Sequence, residues 1–200
     1  MEDLYKTITK PTEGILFKDR NSKFFGYTFP VNSEEEIKQH LDDLKKQHHN
    51  ARHWCYAYQL GTKTISYRAN DDGEPSNSAG MPIYGQIQSF DVTNILVVVV
   101  RYFGGVKLGV GGLINAYRSA AQMALETAEI IERTIDKTFL ISCDYQNINK
   151  VMRVIKEKNL NVTNQKMELD CQITISVRKS DSESIHNIFD QIFGVEIKTL

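Results

Sequence analysis

The stretch from Asn94 to Gly112 constrains this chain more than any other. It opens on Ile95-Leu-Val-Val-Val-Val100, an unbroken run of six aliphatic residues. β-Branched side chains dominate it and it is too short for a typical helix, so it predicts a strand buried on both faces. Directly after it stands Gly104-Gly-Val-Lys-Leu-Gly-Val-Gly-Gly112, which holds five of the chain's twelve glycines. A helix to about Ala128 is expected next, with Leu113, Tyr117, Ala120, Ala121, Ala124, Leu125 and Ala128 on its inner stripe. So many alanines on one face imply close approach to a sheet beneath.

The rest of the first two thirds supplies partners for that strand. Ile15–Phe17 and Phe24–Pro30 read as two strands joined by the charged turn Lys18-Asp-Arg-Asn-Ser22. Ser33 followed by Glu36 is a capping-box pattern, and Ile37, Leu41 and Leu44 continue it as one apolar helical stripe. His53–Leu60 and a partner through Thr64, Ile65 and Tyr67 read as strands, and a short helix is expected over Met81–Phe90. From about Thr134 the pattern restarts. Phe139–Ile141, a helix through Val151, Val154 and Ile155, strands Val162–Leu169 and Ile173–Val177, a helix lined by Ile185, Ile188, Phe189 and Ile192, and Val195–Ile197 give the order βαββαβ. Ser180 and Glu183 form a second capping-box pattern before the last helix. That order is the ferredoxin-like, split-βαβ arrangement. The expected class is α+β with two domains, residues 1–132 and 133–200.

Charge narrows the partners. The net charge is −1, with −2 over residues 1–132 (14 basic, 16 acidic) and +1 over 133–200 (10 basic, 9 acidic). Strong non-specific nucleic-acid binding requires many Lys and Arg, so any polyanion site must be a local pocket. The apolar run is far short of the roughly 20 residues of a membrane helix, and Met1 leads into Glu2, Asp3 and Lys6 rather than a secretory leader. A soluble, cytoplasmic chain with no membrane partner and no reading of DNA sequence is expected. Cys55, Cys143 and Cys171 are widely spaced in strand-like runs, which reads as buried, reduced thiols.

Two stretches can carry chemistry. Gly104, Gly105, Lys107, Gly109, Gly111 and Gly112 lie between a buried strand and a helix start, with Arg101 just before them. Glycine permits close backbone approach, and a helix N-terminus offers unpaired N–H groups at the positive end of a dipole. Together they describe an anion site; the competing reading is a turn that only lets helix and strand pack. The named phosphate motifs fail: Val110 stands where a P-loop needs lysine, and Ile114 where a dinucleotide fingerprint needs glycine. The second stretch, Asp71-Asp72-Gly73-Glu74-Pro75-Ser76 with Ser78 close behind, gathers three carboxylates and hydroxyls in a loop. Carboxylates so placed can hold Mg²⁺, but EF-hand spacing and any nucleophile elbow are missing, and solvated or capping carboxylates are the commoner outcome. His48, His49 and His53 do not share a helical face and have no Cys pair or HExxH beside them. No metal, cofactor or catalytic residue is assigned. His53, Tyr102 and Tyr117 are accessory candidates, and Phe103 joins the two tyrosines as an aromatic that stacks a base or serves the core.

At these residues the sequence resembles a known family. DDGEPSNSAGMPI at Asp71–Ile83 and VVVVRYFGGVKLGVGGLINAY at Val97–Tyr117 are similar to the signatures of the YigZ/Impact family, as are SKFF at Ser22–Phe25 and ARHWCYAY at Ala51–Tyr58. Asn77-Ser78 departs from the family's usual Gly-Thr; a hydroxyl survives, and Asn tolerates left-handed backbone. The resemblance implies an N-terminal domain like the second domain of ribosomal protein S5 and a ferredoxin-like C-terminal domain. It also implies a translation-associated regulatory binding protein whose partner is an RNA, the ribosome or a translation factor. A Mg-dependent enzyme acting on a phosphorylated small molecule or nucleotide is the alternative.

Overall fold

The computed structural model describes residues 3–168 and 170–200, so Met1, Glu2 and Leu169, the expected end of one strand, lie outside the described residues. Two compact units result, Tyr5–Arg133 and Thr134–Leu200, the latter taking in Asp3 and Leu4.

In the first unit, the strands β2 (Ile15–Asp19) and β3 (Ser22–Pro30) form a tight hairpin. Asp19 faces Ser22, leaving only Arg20 and Asn21 in the loop, both with positive φ (42° and 66°). Such a turn matches the right-handed twist of the flanking strands. The helix α1 (Glu34–Gln47) starts where the capping pattern placed it: Ser33 Oγ accepts from Glu36 N–H at 3.3 Å. The Glu36 carboxylate reaches one residue further than the reciprocal box requires and accepts from Asn32 N–H at 2.8 Å.

The strands β4 (His53–Leu60), β5 (Ser66–Asn70) and β6 (Ile95–Tyr102) complete a five-stranded antiparallel sheet in the order β2-β3-β6-β4-β5. β5 begins later than the sequence suggested because Gly61, with φ +92°, starts a turn that holds Thr64 and Ile65. β6 is the central strand, and every residue from Ile95 to Arg101 is buried. α1 covers one face through Ile37 and Leu44, packed with Tyr58, Leu96, Val98 and Val100. The helices α2 (Gly80–Ser89) and α3 (Gly109–Thr127) cover the other. On that side Gly26 lies under Ala120 and Ala124, where a Cβ would come within 2.5 Å of the Ala120 carbonyl oxygen. The alanine stripe therefore performs the close packing its composition predicted. Two strands absent from the sequence reading, β1 (Leu4–Ile8) and β7 (Ile130–Thr134), pair as a separate ribbon.

The second unit runs β8 (Asp136–Cys143), α4 (Ile148–Glu157), β9 (Asn161–Met167), β10 (Cys171–Arg178), α5 (Ser182–Asp190), β11 (Val195–Thr199). Its four antiparallel strands lie in the order β11-β8-β10-β9, which is the ferredoxin-like βαββαβ plan. The capping box expected at Ser180 and Glu183 does not form. Lys179–Asp181 take a 3-10 turn, Ser182 Oγ bonds the Lys179 carbonyl at 2.7 Å, and Ser180 turns to Asp181. Among the described residues no helix is long and apolar enough to cross a membrane.

Candidate functional site

The two stretches singled out in the sequence converge because strand register brings them together. β4 and β6 run antiparallel with His53 opposite Arg101, at the sheet end where β6 gives way to the glycine loop. The 71–79 turn folds back over the same end, with Asp72 accepting from Trp54 N–H at 2.7 Å.

That turn is held by its own carboxylates. Asp71 Oδ1 accepts from the N–H groups of Ala79 (3.0 Å) and Gly80 (2.8 Å), and Oδ2 from Asn77 (2.8 Å). It thus caps α2 from eight and nine residues away, where Ala79 has no side chain able to do so. Ser78 is fully buried and its hydroxyl donates to the Pro75 carbonyl at 2.6 Å. Asp72, Gly73 and Asn77 all have positive φ, so the asparagine adopts the left-handed backbone expected of it.

Glu74 turns inward. Its carboxylate is 5 % exposed and accepts from the Arg101 guanidinium at 2.5 Å and from Tyr117 O–H at 2.7 Å, with His53 Nε2 at 3.9 Å. Arg101 is equally hidden, 6 % exposed, with its guanidinium carbon 5.5 Å from the ring centres of both Phe24 and Phe103. Arg101 Nε is buried with no acceptor among the described residues. Burial, then the neighbouring Cys55 and Glu74, push the Tyr117 hydroxyl far above its ordinary range, so it stays a donor. His53 Nδ1 donates to the Asp72 carbonyl at 2.8 Å. A carbonyl can only accept, so Nδ1 carries a proton, and Nε2 faces Glu74.

Beside this cluster lies a hollow of about 500 Å³ lined by His53, Glu74, Pro75, Arg101, Lys107 and Gly109, together with Arg52, Phe103, Leu108, Val110 and Leu113. Of the sequence candidates, Asp71, Asp72, Gly73, Ser76, Ser78, Gly104, Gly105, Gly111, Gly112, Tyr102 and Tyr117 are not on its lining. Tyr117 sits below it under Glu74. Tyr102 projects to the other sheet face, one residue along from Arg101, and meets His48 Nδ1 at 2.9 Å. Arg52 was missed by the sequence reading, and its only signal was a position just before the strand that pairs with Arg101.

The glycines divide by purpose. Gly104 passes so close to the β2–β3 turn that a Cβ would lie 2.0 Å from the Asn21 carbonyl carbon. Gly109 opens α3 with φ +73°. Gly111 has neither need: its φ is ordinary and nothing stands within 4 Å of a Cβ there. α3 has no side-chain cap and no acidic residue in its first turn.

The Impact N-terminal domain family matches residues 20–125, more than half of the chain. The chain belongs to the IMPACT family. This family member is 38% identical to IMPACT family member YvyE of Bacillus subtilis over 68% of its length and 63% of YvyE's, so that match spans just under two thirds of the relative. It is 30% identical to an IMPACT family member of Haemophilus influenzae over 87% of this chain and 86% of the other. A crystal structure of a hypothetical protein covers 99% of this chain and 98% of its own with a TM-score of 0.74 at 21% identity, a likeness of fold.

Proposed function

We propose that this IMPACT family member is a translation-associated regulatory binding protein of the cytoplasm, and that its hollow takes a phosphate of an RNA strand or nucleotide. Translation is the setting the family resemblance implies. The observation that carries the ligand class is the charge state of the lining. The one carboxylate, Glu74, is neutralised by Arg101, whereas among the described residues Arg52 and Lys107 pair with no acid. Beside them the start of α3 is uncapped, which favours an anion there. Phe103, 40 % exposed, offers a ring on which a base can stack.

Asp71, Asp72 and Glu74 accept hydrogen bonds from their own chain, so no Mg²⁺ and no general base are placed on them. The test is fluorescence anisotropy with a labelled single-stranded RNA and with a mononucleotide. Two phosphate contacts give a logarithmic salt slope of roughly −1.4, and Lys107→Ala or Arg52→Ala lowers it by about 0.7 each. Affinity for both probes unchanged by either substitution refutes the reading.

A further inference from the structure

The opposite face of the same sheet holds a second hollow that the reading above does not use. A helix is about 10–12 Å across, while five strands at about 4.8 Å spacing span nearly twice that. Among the described residues α1 is the one helix on this face, and it packs over β3, β6 and β4. The sheet toward β2 is left uncovered, giving a hollow of about 670 Å³. Its floor is set by alternation along β3, which sends Phe25, Tyr27 and Phe29 to this side and Phe24 to the other.

The aromatic rings there are ordered. Tyr27 and Phe29 lie at 14° with centres 6.2 Å apart, and His40 of α1 stacks on Phe29 at 21° and 4.3 Å. Phe25 lies 5.4 Å from the His48 ring. His48 is fixed at both nitrogens by hydroxyls, Tyr27 at 2.6 Å and Tyr102 at 2.9 Å. Burial holds its pKa below the usual value, so the floor carries π faces and a neutral imidazole. Among the described residues the carboxylates on the lining are Glu13 and Asp43, both exposed, and no Lys or Arg lines it. Asp43 also meets Lys46 at 3.2 Å, an ion pair open to water on both sides.

We propose that this hollow binds a guanidinium group, such as an arginine side chain. Ring faces attract a cation through their quadrupoles. A planar guanidinium suits rings held within about 20° of one another, and its forked donors suit carboxylates at the rim. An apolar ligand makes no use of Glu13 or Asp43, and an anion is repelled by both. The site is separate from the anion hollow: Arg101 and Tyr102, adjacent on β6, serve opposite faces.

The test follows the ring signals of His40, Tyr27 and Phe29 by NMR while the full chain is titrated with free arginine, acetyl-Gly-Arg-Gly-amide, or the same peptide carrying citrulline. Citrulline keeps the shape and loses the charge. Saturable shifts are expected with either arginine probe; tighter binding of the peptide identifies a polypeptide source, and of free arginine a small molecule. Citrulline is expected to bind at least about tenfold more weakly, and the surface double variant Glu13→Gln/Asp43→Asn to lose about fivefold for the arginine probes. No shift with either arginine probe, equal affinity for citrulline, or full affinity in the double variant overturns the proposal.

Discussion

Glu74→Ala leaves the Arg101 guanidinium charged and buried with Tyr117 O–H beside it, both without their acceptor. Removing one partner of a buried ion pair costs about 3–5 kcal/mol. Orphaning a buried hydroxyl costs about 1–3 kcal/mol, but both losses come from one carboxylate and do not simply add. A total of about 4 kcal/mol is expected, or a shift of roughly 2 M in the urea midpoint at a slope of about 2 kcal/mol/M. Glu74→Gln keeps an acceptor in place and should lose about 1–3 kcal/mol, the worth of charge on the hydrogen bonds. Trp54, the single tryptophan, lies on β4 with its backbone N–H bonded to Asp72 of the 71–79 turn. Its fluorescence therefore reports unfolding of this unit alone. The exposed pair Asp43–Lys46 is the control, expected to contribute about 0–1 kcal/mol. If Glu74→Ala shifts the midpoint no more than Asp43→Asn does, the Glu74–Arg101–Tyr117 cluster does not hold the turn against the sheet.

Three further outcomes follow from the geometry. Asp71→Ala removes the acceptor of three N–H groups and should destabilise the same unit by about 1–3 kcal/mol by Trp54 fluorescence; a loss within error of zero refutes the remote cap. In the second unit the Arg178 guanidinium, hydrogen-bonded to Asp3, holds the Asp3 carboxyl below its ordinary range. The stability it contributes is present above the unfolded carboxylate value of about 3.9 and is lost as pH falls through the lower folded value; Asp3→Asn should remove this acid-side dependence from circular-dichroism melts of that unit, and an unchanged pH profile refutes it. All three thiols are buried, and burial pushes Cys55 up strongly and Cys143 up to about 11. An aromatic disulfide reagent should therefore label none of them before unfolding, and rapid stoichiometric labelling of the native chain contradicts their placement.

What the sequence disclosed was what neighbours in sequence decide. Ser33 and Glu36 are three residues apart, so a local pattern sufficed to place the start of α1. Ile95–Val100 carries its own period and composition. β1 was invisible because five residues, two of them polar (Lys6 and Thr7), become a strand only against β7, more than 120 residues later. Glu74 and Arg101 were each legible as charged residues, but only the pairing of His53 with Arg101 sets them together. Asp71 likewise shows nothing in sequence of the cap it forms, because its partners come eight and nine residues on. The Ser180–Glu183 pattern erred the other way: the local signal was present, and the 3-10 turn at Lys179–Asp181 diverted it.

The close crossing of Gly104 over Asn21 has a consequence for the strap that leads to α3. The strap's origin is pinned by sterics and by Gly104 N–H on Ser22 Oγ at 3.1 Å, and its far end is pinned by buried Leu108. Between them only Gly105, Val106 and Lys107 are free to rearrange. On the function proposed above, a partner closing on Lys107 would immobilise three residues rather than a long lid, so the entropic toll of engagement would be small and the tolerance for wrongly shaped partners small with it.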